Sequence, residues 1–203
     1  MTERNRRILW FTIFVGCLLP AADLLWRLIA GDLGADLVET LIRTTGDWAI
    51  KLLVAGLLLT PLSRILKNPL PVRFRRMVGL YAFFYVCLHL TLYLGVDQGL
   101  DLSAIIKDVL KRPYITVGMS AFVLLVPLAI TSTKGMVARL GPRRWRRLHR
   151  AVYAAATLGV IHYYLLVKLD VTWPLIYGAI LAAALGWRAY NAIPQRKAMR
   201  ASA

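Results

Sequence analysis

Apolar residues do not alternate along this chain. They gather into six long runs separated by short polar stretches. A bilayer core about 30 Å thick is crossed by about 20 mostly apolar helical residues. The runs at 8–30, 48–66, 78–96, 114–131, 149–167 and 173–190 have about that length. Lipid offers the backbone no hydrogen-bond partner, so a spanning segment must satisfy its own amides, as a helix does. Membrane barrel strands would show as short alternating segments, which are absent. The pattern predicts an all-α integral membrane protein: a six-transmembrane-helix bundle, one domain over 1–203. Pro113 and Pro174 fall in first helical turns, where the missing N–H costs nothing. Pro20 and Pro127 fall inside runs, where neighbours can satisfy the freed carbonyls.

The stretches between the runs add detail. From Asp101 to Arg112, apolar residues fall at Leu102, Ile105, Ile106, Val109 and Leu110. That spacing predicts a short helix with one greasy face, capped by Asp101, lying on the outer membrane surface. Its face suits lipid burial or a partner. The acidic connection from Asp32 to Asp47 reads as a turn-rich loop, solvated or facing a basic partner.

Charge sets the orientation. The formal net charge is +16, with 26 Lys and Arg, on a chain of mean hydropathy +0.60. In a soluble protein that charge would suggest nucleic acid. Here the cations sit between spans, so nucleic acid is set aside. They cluster in the N-terminal tail (Arg4, Arg6, Arg7), the second-to-third connection (Arg64, Lys67, Arg73, Arg75, Arg76) and the fourth-to-fifth connection (Lys134 to Arg150). The C-terminal end adds Arg188, Arg196, Lys197 and Arg200. In a six-span plan these share one side, which predicts cytoplasmic N- and C-termini. The first run is too long for a signal-peptide core and reads as a retained span. The run from Arg139 to Arg150 has an interleaved Trp145. It reads as a topology signal facing anionic headgroups, with a phosphate-bearing cofactor, haem propionates or a cytosolic reductase as the sharper alternatives.

Chemistry enters through the histidines, because an ionisable side chain in a bilayer is a candidate functional residue. All three lie in or at runs: His89 in the third, His149 at the edge of the fifth, and His162 inside it. His89 and His162 sit eleven and thirteen residues past the cytoplasmic starts of their runs, hence at one depth in the outer half of the core. Two neutral imidazoles at one level on two helices suit the axial ligation of a haem iron. Gly159, a turn before His162, offers room for a ring, and Tyr85, Tyr93, Tyr163 and Tyr164 are candidates to pack on it. Arg76 precedes His89 by thirteen residues, as His149 precedes His162. Two-haem membrane cytochromes stack two histidines on each of two helices; here arginine takes one of the four places, and a guanidinium can pair with a propionate. Thirteen residues of straight helix leave side chains about 140° apart, so His149 ranks as a possible ligand only. Competing roles are a hydrogen-bonding strut and a proton relay. A relay would ask for carboxylates near the histidines, and the third and fifth runs have none. Two histidines are too few for zinc. Cys17 and Cys87 lie in apolar runs and read as fillers.

The chain also resembles a known family. Gly34-Ala-Asp36, Leu59-Thr-Pro-Leu62, Arg75-Arg76, Leu88-His-Leu90, Arg112-Pro-Tyr114, Thr131-Ser-Thr133, Leu148-His149 and Ile161-His-Tyr163 are similar, in order, to the membrane subunits of bacterial periplasmic methionine-sulfoxide reductase systems. These stand within the ferric-reductase-like transmembrane group. The resemblance implies a haem b electron carrier of the bacterial inner (cytoplasmic) membrane, with FMN also associated. It implies electrons from the quinone pool or a cytosolic flavin reductase. They would pass to a periplasmic molybdopterin-containing subunit that repairs oxidised methionine and carries the reductase chemistry. It carries over His89, His149 and His162, with Arg76 nearby. A stand-alone ferric or metal reductase and a non-redox transporter are the alternatives.

Overall fold

A computed structural model describes residues 2–201, with side chains through residue 191. Arg196, Lys197 and Arg200 of the basic C-terminal end therefore lie outside the described side chains. The helices are α1 (Glu3–Ile29), α2 (Leu37–Ile65), α3 (Leu70–Leu92), α4 (Leu102–Lys111), α5 (Pro113–Ile130), α6 (Lys134–Leu148), α7 (Ala151–Leu166) and α8 (Thr172–Ala201). A π-turn, Tyr93–Asp97, extends α3. Among the described residues there is no strand. Among the described residues four segments, namely α1, α2, α3 with its π-turn, and α5, are long and apolar enough to cross a membrane; α7 is apolar but shorter.

Two expectations about connections are corrected. The acidic stretch 32–47 is mostly helix, because α2 begins at Leu37 rather than at Trp48. Asp36 caps it by accepting from the Glu39 amide at 2.8 Å. Two ion pairs at i,i+4 spacing, Glu39–Arg43 and Asp47–Lys51, then run along its first turns. Alternating charges at that spacing support a helix as well as apolar periodicity does. The basic stretch after α5 is also helical. It bends at Gly141, whose φ of +74° lies in the left-handed region, and Pro142 starts the second half. The expected surface helix forms as α4, with Asp101 accepting from the Ser103 and Ala104 amides.

Packing arranges α2, α3, α5 and α7 as two hairpins. α2 lies closely on α3 and α5 on α7, while the hairpins touch each other much less. Leu53, Leu57, Ala82, Leu125, Ala155, Ala156 and Leu181 form the buried plug that joins them, with α8 against it. Ala82, Ala155 and Ala156 are fully buried; their small side chains let the backbones approach.

α1 is braced by one side chain. The Tyr85 hydroxyl donates to Cys17 O at 2.8 Å and accepts from the Ala21 amide at 3.0 Å. Those two groups would otherwise pair within the helix, next to Pro20. The hydroxyl thus ties together two backbone groups beside Pro20, where lipid offers no partner.

The basic clusters collect at one end of the bundle. Arg6, Arg7 and Trp10 of α1 share a shallow depression with Arg73 and Phe74 of α3. His149 stands near Arg75 and Arg76. Arg188 of α8 stands near Arg64 and Arg75. At the other end, Tyr93 donates to Asp108 of α4 at 3.4 Å.

Candidate functional site

His89 and His162 come from α3 and α7, one from each hairpin, and meet between them. Their ring centres are 6.2 Å apart and their planes cross at 80°. His89 Nδ1 lies 2.9 Å from Ile42 O on α2. His162 Nδ1 lies 2.7 Å from Tyr114 O on α5. A carbonyl only accepts, so each Nδ1 carries the proton and donates it. Each Nε2 is then left with its lone pair. Anchoring one ring nitrogen so that the other is free for a metal is the usual support of a ligating histidine.

The two anchors are built alike. The carbonyl of Ile42 is followed four residues later by Gly46, and that of Tyr114 four residues later by Gly118. In a helix, a side chain leans back over the preceding turn, so the residue at i+4 covers the carbonyl at i. Glycine leaves that carbonyl open to an outside donor. A Cβ on Gly46 would lie 3.0 Å from His89 Nδ1, and one on Gly118 would lie 2.8 Å from His162 Nδ1. Nδ1 and Cε1 face the glycine in each case. The sequence separations match as well: His89 follows Ile42 by 47 residues and His162 follows Tyr114 by 48. The hairpins carry the same device twice.

The other expected residues fall elsewhere. His149 is the C-cap of α6, just before α7 begins at Ala151. The break in the helix at this corner removes the straight-helix objection. His149 Nε2 lies 3.0 Å from Thr131 Oγ1, and its ring stacks on Trp145 with centres 3.9 Å apart. Arg76 is exposed and near His149. The pair thus forms a second level, about 20 Å along the helices from His89 and His162. A Cβ on Gly159 would meet Ile50 at 3.4 Å. Tyr85 braces α1, Tyr93 ties α3 to α4, and Tyr163 lies 6.3 Å from Tyr177, ring centre to ring centre. Tyr164 is exposed. Cys17 and Cys87 are free thiols, Cys17 buried. Among the described residues no three His, Cys, Asp or Glu side chains gather as a metal cluster.

Three features were not legible in the sequence. Gly46 and Gly118 showed no signal beyond being glycines in or beside apolar runs. The third is Asp47, expected in an outer loop. It sits inside α2, one residue past Gly46, and its carboxylate is 2.5 Å from Lys51 Nζ. Lys51 also lies over the Trp48 ring at 4.8 Å. The signal that could have found the pair is their i,i+4 spacing.

Fold and sequence together define a multi-pass helical membrane protein of the ferric-reductase-like class. Residues 45–160 match the family described as ferric reductase like transmembrane component. The chain is 53% identical over 179 residues to the protein-methionine-sulfoxide reductase heme-binding subunit MsrQ of Caulobacter vibrioides, covering 88% of this chain and 85% of that one. It is 53% identical over 192 residues to the subunit of the same name from Rhodospirillum rubrum, covering 93% and 91%. For Herminiimonas arsenicoxydans the figures are 48% over 186 residues, 91% and 85%. The chain belongs to the MsrQ family.

Proposed function

We propose that this chain is the haem b electron-transfer subunit of a protein-methionine-sulfoxide reductase system, with His89 and His162 as the axial ligands of the iron. The observation that carries this is the pair of carbonyl-anchored imidazoles. A ring-centre separation of 6.2 Å suits two imidazoles bound to one metal ion through bonds of about 2 Å. In this reading the haem would stand between the hairpins, each of which brings one histidine. The haem supplies a one-electron carrier whose potential follows its ligands and surroundings. The residues do the rest: Ile42 O and Tyr114 O orient the rings, Gly46 and Gly118 open the carbonyls, and the alanine-rich plug closes the seam on the inner side.

In this reading the chain crosses the bacterial inner membrane six times as one domain, α8 included, with both termini cytoplasmic. The histidines then lie in the outer half of the bilayer, near the start of α5. That position suits delivery to a periplasmic molybdopterin-containing methionine-sulfoxide reductase, with electrons entering from the quinone pool or a cytosolic flavin reductase. FMN joins the proposal on family resemblance alone, and flavin fluorescence of the purified protein tests it. His149 and Arg76 make an inner level where a second ligand and a propionate partner would stand. Asp47 is matched by Lys51, so α2 brings no net charge to the histidine level through this pair.

The test is the visible absorption spectrum of the purified protein, with haem counted per chain. Replacing His89 or His162 by alanine should abolish or change the haem band; an unchanged band in both variants would overturn the ligand assignment. Haem per chain in His149→Ala, set against the wild type, distinguishes one bound group from two.

A further inference from the structure

At the basic end of the bundle, guanidinium groups from three helices lie near one another, none paired with an acid among the described residues. Arg188 of α8 reaches inward and donates through Nη2 to Leu57 O of α2 at 2.6 Å. Its guanidinium lies over the Tyr153 ring of α7 at 5.1 Å. Its other terminal nitrogen, Nη1, is buried and has no hydrogen-bond partner among the described residues. Arg64 and Arg75, both positive and both exposed, stand near it. Arg64 lies over the Trp187 ring at 5.4 Å. Arg75 makes one long bond, to Thr60 Oγ1 at 3.4 Å. None of the three forms an ion pair among the described residues.

A buried N–H without a partner is costly, and the nearby charges of Arg64 and Arg75, though screened where they are exposed, add to that cost. Both are relieved by one anion with several acceptor oxygens. Forked guanidinium donors approaching from three helices match a phosphate group better than a planar carboxylate, which one fork satisfies. The depth fits as well. Arg64 is in the last turn of α2, where an inner headgroup lies if this end is cytoplasmic.

We propose that Arg64, Arg75 and Arg188 form a binding site for a phosphate group at the basic end of the bundle. It is built by α2, α3 and α8 and stands apart from the His89–His162 pair. The inference does not depend on the haem reading. The shared chemistry belongs to an anionic lipid headgroup and to a free phosphate, and the experiment separates them.

The full chain is delipidated in detergent and offered inorganic phosphate in one arm and dioleoylphosphatidylglycerol in the other. Native mass spectrometry counts bound ligand, and the thermal unfolding midpoint follows the titration. One saturable site is expected. Arg188→Gln and Arg75→Gln should each weaken it about tenfold or more, the loss of a charge-assisted bond. Lys107→Gln and Lys111→Gln, in α4 at the other end of the bundle, should leave it unchanged. Binding of the lipid alone identifies a headgroup; binding of both probes identifies a general phosphate site, and either supports the proposal. It is overturned if neither probe binds saturably, or if the α4 variants weaken binding as much as the cluster variants. Should Arg188→Gln fail to fold, Arg75→Gln and Arg64→Gln probe the same site, and unchanged binding in both would overturn it.

Discussion

Replacing Gly118 by alanine adds one methyl group to α5, and the structure fixes where it goes. The new Cβ would stand 2.8 Å from His162 Nδ1, 3.0 Å from Cε1 and 3.2 Å from Cγ. The whole Nδ1 edge of the ring is blocked. In the apoprotein the ring can swing away, at the cost of its bond to Tyr114 O, about 1 kcal/mol net. On the proposed ligation the ring would be held at Nε2 and could not swing, so the clash would fall on the metal bond. Loss of such outer support typically lowers metal affinity about 10- to 100-fold. Gly46→Ala places its Cβ slightly further from His89, 3.0 Å from Nδ1 and 3.1 Å from Cε1, and should do less harm. Gly159→Ala and Gly178→Ala meet only aliphatic carbons, at 3.4 and 3.5 Å, and serve as controls. The assay is haem retained per chain through dialysis against a haem scavenger, with unfolding midpoints of haem-free protein measured alongside. The expected order of haem loss is Gly118→Ala, then Gly46→Ala, with both controls like the wild type. A Gly118→Ala protein that holds haem as tightly as Gly159→Ala would refute the claim that the glycines exist to admit the rings.

Two further outcomes follow from the packing. Tyr85→Phe leaves Cys17 O and the Ala21 N–H facing each other beside Pro20 without the hydroxyl that joins them; unfolding in detergent should show a loss of about 1–3 kcal/mol, and a wild-type midpoint would mean that α1 closes the gap unaided. Asp47→Asn leaves the Lys51 ammonium without its partner within the spanning length of α2, so it should destabilise more than the double change Asp47→Asn with Lys51→Gln; a thermodynamic cycle of the four proteins checks this, and additivity would show that the pair does not interact.

Much of this protein was written in one dimension. Hydropathy placed helices near every expected run, because a bilayer rewards length and apolarity residue by residue. The Asp101 cap and the greasy period of α4 are likewise local, and both formed as read. His89 and His162 stood out because a histidine in lipid is conspicuous, and counting from the run starts put them at one level. What needed the third dimension was everything set by a neighbour on another helix or turn. Gly46, Gly118 and Gly159 look alike in sequence; only the packing shows that two of them open carbonyls to histidine rings while the third meets Ile50. Asp47 read as loop because charge was counted against a span, whereas its partner one turn on lets α2 continue. Tyr85 was grouped with the ring-packing tyrosines and instead repairs α1. Arg188 was one positive charge among many until Leu57, Tyr153, Arg64 and Arg75 surrounded it. The cause is common to all four. Burial in lipid acts on each residue by itself, but hydrogen bonds, steric room and charge pairing belong to pairs, and the chain does not say which pairs will meet.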